Sequence, residues 1–168
     1  MSDSITHECG LAVVRLRKEI SWYREEHGDP LWGLRRLFLL MEKQHNRGQD
    51  GAGIGIVKFD MPPGSRFLSR LRSAKRNPIE RLFDRSMQPA TKLGKKVLDL
   101  DDIELKQMIP MLGEVMVGHL RYGTHGGRTT EACHPFVRRN NVASRNLALA
   151  GNFNLTNSTR LFEKLVEY

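Results

Sequence analysis

Apolar positions recur along this chain at two spacings, and the spacing divides it into elements. Leu11, Ala12, Val13 and Val14 run without interruption and predict a short buried strand that holds Cys9 at a sheet edge. Leu31, Leu34, Leu37, Phe38 and Met41 then recur at helical spacing, with Arg35, Arg36, Glu42 and Lys43 elsewhere on the surface. Asp29 is placed to cap that helix, with Pro30 at its first position, and the helix is expected to end near His45-Asn46, ahead of Gly48. Burying those apolar side chains stabilises the fold by about 8–15 kcal/mol before conformational entropy opposes it. Ile54, Ile56 and Val57 alternate with small residues and predict a strand, which Pro62-Pro63-Gly64 breaks. Residues 64–96 predict one helix, from Pro78 through Ile79, Leu82 and Phe83. Asp99 to Gln107 predicts another, capped by Asp99 or Asp101 and stopped before Pro110. Val115, Val117 and the stretch to Leu120 read as a strand, and so does Leu147 to Ala150. Leu161, Phe162, Leu165 and Val166 place a helix over 159–168. No internal repeat is present.

Composition narrows the class. A chain of 168 residues, 39% apolar and 27% charged, fits one domain with a working core of its own. No apolar run approaches the length of a membrane span, and Met1 to Glu8 lack the apolar stretch of a secretory signal. Cys9 and Cys133 are enough for one bridge, but without an export signal the better reading is two free thiols in a reducing cytoplasm. The histidines and cysteines show no zinc spacing, so no metal is expected, and no cofactor is evident.

The net charge of +8 raises a nucleic-acid hypothesis. Much of the excess falls between Arg66 and Lys96, where Phe67 and Phe83 are the only aromatics available for base stacking. No zinc-finger, RNP or helix-turn-helix pattern accompanies it. A solvated basic surface, or a contact face for an acidic partner domain, is the simpler reading.

The candidate chemistry sits in separate blocks. Cys9-Gly10 precedes the first strand, and Arg47-Gly48-Gln49-Asp50-Gly51-Ala52-Gly53 follows the long helix. Gly118-His119-Leu120-Arg121-Tyr122-Gly123-Thr124 comes later, and Gly151-Asn152-Phe153-Asn154 lies near the end. A thiol attacks an amide carbonyl once deprotonated, but a free thiol titrates at about 8.5 and needs a base. The six histidines make a Cys-His hydrolase conceivable, while Cys9 alone reads as a small buried hydrophobe ahead of a strand. The glycine density of the second block implies a backbone that something approaches closely. It is not a nucleotide loop, because it runs helix, loop, strand with no Gly-Lys-Ser/Thr following. Arg121 offers a fork suited to a carboxylate, or is an ordinary surface arginine. The Asn-rich turn can orient an amide donor, or cap a helix at Thr156 or Asn157.

In this order the blocks resemble the glutaminase domain of amidophosphoribosyltransferases, which are class II glutamine amidotransferases. Arg-Gly-Gln-Asp favours that branch over asparagine and glucosamine-phosphate synthases. The resemblance runs from Glu8 to Tyr168 and is strong in these blocks, whereas residues 18–30 and 58–113 match no pattern and read as subgroup insertions. It implies a mixed α/β fold, the four-layer α/β/β/α sandwich of N-terminal-nucleophile hydrolases, incomplete at the C-terminus. It also implies that residues 1–8 are a propeptide and 9–168 the amidotransferase domain.

The resemblance makes Cys9 the nucleophile, with its own α-amine as the base. An α-amine titrating at about 7.7–8.0 suits that role, and it exists only after cleavage between Glu8 and Cys9. Arg121, Thr124, Arg47 and Gly48 are then expected to bind glutamine. Asn152 and the backbone N–H of Phe153 are expected to stabilise the oxyanion. The family places glycine where this chain has Phe153, which keeps the donor but resists a positive φ. His119 and His134 fall within family motifs yet read as core or loop histidines.

The implied reaction takes glutamine to glutamate and ammonia through a cysteinyl thioester. The complete family enzyme passes the ammonia to phosphoribosyl pyrophosphate in purine synthesis. The phosphoribosyltransferase domain and the acidic residue that binds the glutamine α-amine lie beyond the family segment matched here. Feeble activity is therefore expected of these residues alone, and a homo-oligomer of the complete enzyme. A different class of answer is an inactive remnant or binding domain; a third is a basic nucleic-acid-binding module.

Overall fold

The computed structural model describes residues 8–123, 127, 129–152 and 157–167. In chain order the elements are β1 (Gly10–Arg15), α1 (Ile20–His27), α2 (Trp32–Lys43), β2 (Gly51–Val57), β3 (Leu68–Ser73), α3 (Pro78–Leu93), α4 (Asp102–Met108), β4 (Val115–Arg121), β5 (Phe136–Arg138), β6 (Leu147–Leu149) and α5 (Ser158–Val166). Four strands form an antiparallel sheet in the order β1-β4-β2-β3, and β5 pairs with β6 in a separate ribbon.

Alternation along the strands sends successive side chains to opposite faces, and the two faces have different fates. Ala12, Ala52, Ile54, Ile56, Met116 and Leu120 are buried in one core with Leu34, Leu37 and Met41 of α2 and Ile79, Leu82 and Phe83 of α3. Small residues let the helices come close. A methyl added at Gly33 or Gly118 would run into Met116 or Met41. The other face carries Leu11 and Val13 of β1, which are 47% and 59% exposed. The expected buried strand is therefore buried on one side only, because the helices cover a single face of the sheet.

On that second face β2 is nearly bare. Gly51, Gly53 and Gly55 alternate along it, and the segment Cys133-His134-Pro135 lies across the trough they leave. A Cβ at Gly51 would meet the Cys133 sulfur, one at Gly53 would fall on the His134 carbonyl, and one at Gly55 would lie 2.9 Å from Pro135 Cγ. The glycine density thus serves a close approach, as its sequence implied, and what approaches is the chain itself.

The structure sharpens several boundaries. Asp29 does not cap α2 directly: its Oδ1 accepts from Leu31 N–H at 2.9 Å, a turn that precedes a helix beginning at Trp32. The helix stops at Lys43, ahead of His45-Asn46. Asp101, rather than Asp99, caps α4 in a reciprocal capping box with Glu104. The segment 58–113 holds β3 and α3, both joined to the main sheet and core. Its far end is tied down by a buried network. Lys106 Nζ donates to Glu114 Oε1 at 2.9 Å and to the Phe59 carbonyl at 2.7 Å, while Lys58 Nζ donates to the carbonyls of Lys106 and Ile109. Cys9 and Cys133 are both free thiols. No helix of the described residues is long and apolar enough to cross a membrane.

Candidate active site

The edge strand β1 starts immediately after Cys9, and its antiparallel pairing with β4 sets Gly10 opposite Leu120. That register brings Cys9 to the chain just past Arg121. Tyr122 N–H donates to Cys9 Sγ at 3.4 Å, and the thiol lies 3.8 Å from the Tyr122 carbonyl. Cys9 is half-buried and Tyr122 is 39% exposed, so the sulfur stands at a surface rather than in the core. Cys133 is the opposite case: fully buried, with burial pushing its thiol pKa up. A thiol held neutral there is a packing group, and only Cys9 has the setting of a nucleophile.

The glycine loop closes on the same strand end. Asp50 N–H donates to the Arg121 carbonyl at 3.0 Å, and Asp50 Oδ2 accepts from Gly123 N–H at 2.9 Å. Gly48 is buried against the backbone of Leu120 and Arg121, where a Cβ would lie 2.6 Å away. A carboxylate receiving a backbone N–H fixes the 121–123 turn beside Cys9, a duty of Asp50 that the sequence reading did not assign. The signal was present, since Asp50 is the last letter of the Arg-Gly-Gln-Asp block. Arg47 is exposed in the turn after α2, its N–H bonded to the Gln44 carbonyl at 2.8 Å.

Arg121 is 6% exposed and donates through Nη1 to the Gly127 carbonyl at 2.7 Å. It is no ordinary surface arginine. Thr124 and Phe153, named with Arg121 and Asn152 as site residues, lie outside the described residues, as does 1–7. Asn152 is exposed at the end of the segment that leaves β6. Its predecessor Gly151 is bound by two histidines, through its carbonyl to His119 Nε2 at 3.2 Å and through its N–H to His134 Nδ1 at 3.3 Å.

Both imidazoles are pushed below their ordinary range, chiefly by burial. His119, at the centre of the sheet, falls to about 4, with His134 and Arg121 adding to the shift and the Gly151 hydrogen bond opposing it. An open cleft of about 620 Å³ adjoins the loop, sharing Gly48 and Asp50 with the site but lined otherwise by Glu42, Lys75, Arg76 and their neighbours. Among the described residues no group of histidine, cysteine and acidic side chains has the arrangement of a metal site.

No family model matches the chain. Known proteins do. It is 41% identical over 59 residues to an amidophosphoribosyltransferase of Lacticaseibacillus casei, an overlap of 35% of this chain and 29% of that protein. It is 40% identical over 55 residues to an amidophosphoribosyltransferase of Methanocaldococcus jannaschii, covering 33% of this chain and 11% of the other. With the chloroplastic amidophosphoribosyltransferase 3 of Arabidopsis thaliana it shares 27% identity over 165 residues, which is 98% of this chain and 23% of that one. The chain thus spans less than a third of the length of these relatives.

The structure of the B. subtilis glutamine phosphoribosylpyrophosphate amidotransferase, complexed with ADP and GMP, superposes on 80% of this chain and 22% of that one, at a TM-score of 0.50 and 24% identity. The likeness shows a shared mixed α/β fold. In sequence the similarity is to the amidophosphoribosyltransferases, as the motif blocks implied.

Proposed function

We propose that this chain carries the glutaminase half of a glutamine amidotransferase, with Cys9 as nucleophile. The observation that supports it most is the meeting of Cys9, the Asp50 loop and the Arg121–Gly123 turn at one end of the sheet, from three distant parts of the sequence. In this reading residues 1–8 are removed after Glu8, and the freed α-amine of Cys9 takes the thiol proton. The thiolate adds to the side-chain amide carbon of glutamine. Asn152 and the Phe153 N–H stabilise the oxyanion, and its collapse expels ammonia, which leaves with the proton from the ammonium. Water then hydrolyses the γ-glutamyl thioester, releasing glutamate and the thiol.

Arg121 is the group suited to the glutamine α-carboxylate: its guanidinium is buried, and the Gly127 carbonyl fixes its orientation. Thr124, Arg47 and Gly48 complete the proposed binding set. Gly48 acts there through its close packing on the Leu120–Arg121 backbone rather than through a side chain. The relatives' name points to a phosphoribosyl acceptor for the ammonia, so a phosphoribosyltransferase unit belongs to the proposal; the proposal further takes the complete enzyme as a homo-oligomer in the cytoplasm.

The test is glutamate release from glutamine by the wild type and by Cys9→Ser, with intact mass measured on the same samples. The proposal expects turnover only in protein that has lost 1–8, and nearly none in the variant. Full activity in protein that retains 1–8 would replace the amine base with another group.

A further inference from the structure

We propose that His119 and His134 are positioning residues that together clamp Gly151, and so aim the amide of Asn152. The inference rests on the reading of Asn152 as an oxyanion donor and adds to it what holds that donor in place. Gly151 is gripped by both its backbone polar groups, the carbonyl at 3.2 Å from His119 Nε2 and the N–H at 3.3 Å from His134 Nδ1. The two rings lie against each other, centroids 4.4 Å apart, and Phe136 meets His134 edge-on at 4.4 Å.

The pairing fixes both tautomers. A carbonyl only accepts, so His119 carries its proton on Nε2. His134 Nδ1 accepts, so the proton of that neutral ring is on Nε2 as well. Burial holds both rings neutral, which is the state this arrangement requires. Protonating His134 would put a hydrogen on Nδ1, facing the Gly151 N–H.

Two further observations separate a clamp from ordinary packing. His119 is 1% exposed, and among the described residues its Nδ1 has no hydrogen-bond partner. A buried unsatisfied nitrogen costs stability, and an apolar side chain at this place in β4 would avoid that cost, so the ring is better explained by what its other nitrogen does. Gly53, paired with His119 in the sheet, is the residue on which the His134 carbonyl rests. The sheet has given up a side chain to seat one half of the clamp beside the other. With both peptide groups of Gly151 bound, the chain enters Asn152 from a fixed direction.

Four amide substitutions test this in a crossed pattern. A glutamine amide reaches about as far as Nε2 and an asparagine amide about as far as Nδ1. His119→Gln and His134→Asn therefore keep the contact to Gly151, whereas His119→Asn and His134→Gln lose it. The expected result for the second pair is a fall in kcat for glutamine on the order of a hundredfold, with KM within about threefold, the signature of a misaimed rather than a missing group. The first pair should retain most of kcat. Amide hydrogen exchange at Gly151 should be faster in His134→Gln than in wild type and unchanged in His134→Asn, with β2 and β4 unaffected.

Equal losses in all four variants, or a rise in KM alone, would overturn the clamp. A wild type whose glutamine turnover is absent, or survives Cys9→Ser, would instead overturn the glutaminase reading. Exchange at Gly151 then decides the clamp by itself, and identical rates in wild type and His134→Gln would end it.

Discussion

At Gly53 one absent methyl group decides where a whole segment lies. The His134 carbonyl occupies the space a Cβ would need, so Gly53→Ala must push the 133–135 segment off β2 or distort the strand. A cost of about 3 kcal/mol is expected from such overpacking, read as a lower urea midpoint at unchanged slope. His119 supplies a second prediction at this scale. Its pKa is about 6.5 when the chain is unfolded and about 4 in the fold. Between those values the unfolded chain binds the proton more readily, so stability falls as pH drops from 6.5 through 4. The group's full share, about 3 kcal/mol, is gone below that window. Urea midpoints at pH 7, 5 and 4 should show the decline, and His119→Gln should flatten it. A third concerns catalysis: Asn152→Ala should raise the barrier of the chemical step by about 2.7–4 kcal/mol, measured as kcat for glutamine.

Among elements, the buried network that joins α4 to the ends of β2 and β4 makes the sharpest prediction. Lys58, Lys106 and Glu114 are each less than 7% exposed, and the one carboxylate faces two ammonium groups. Burial first, and then the nearby Arg66 and Lys106 charges, lower the Lys58 pKa to about 8, although Glu114 opposes them. Glu114→Ala should therefore cost about 3–5 kcal/mol, since it leaves buried cations without a counter-charge. Replacing Glu114 and Lys106 together by leucine and methionine should recover much of that loss in a double-mutant cycle.

This is also the scale at which the sequence was most uneven. The helix α2 was legible because five apolar positions outweigh every local signal, and α4 because its cap is written in Asp101 and Glu104. β3 was hidden because its Leu-Ser-Arg-Leu-Arg-Ser pattern reads as part of a basic stretch. In the fold one of its arginines has structural partners: Arg72 Nη1 donates to the carbonyls of Glu131 and Cys133 at 2.8 and 3.0 Å, holding down the segment across β2. α1 was missed for a related reason, with only Ile20 and Tyr23 buried along eight residues. Motif resemblance named Cys9, Arg121 and Asn152 as candidates, whereas nothing in the sequence joined His119 and His134 to Gly151. Two histidines far apart in sequence carry no joint pattern until the sheet sets them ring to ring.

For the molecule as a whole, the asymmetry of the main sheet matters most. One face is sealed by helices, while the other leaves Leu11 and Val13 open, and Phe136, Leu147 and Leu149 of the ribbon are also exposed. Apolar surface of this kind on an edge strand favours association. Light scattering over a concentration series should show self-association of these 168 residues, reduced in Leu11→Thr/Val13→Thr. The charge of +8 opposes that association at low salt, so it should grow as salt screens the repulsion. The same asymmetry leaves the Cys9 end of the sheet accessible, and the central claim is that this end performs nucleophilic chemistry on glutamine. The most direct measurement is glutamine-dependent release of glutamate and ammonia in equal amounts by folded wild-type protein whose mass begins at Cys9, compared with Cys9→Ser. Release is expected from the first and almost none from the second. Equal release by both, or none by a folded protein with a free Cys9 amine, would contradict the central claim.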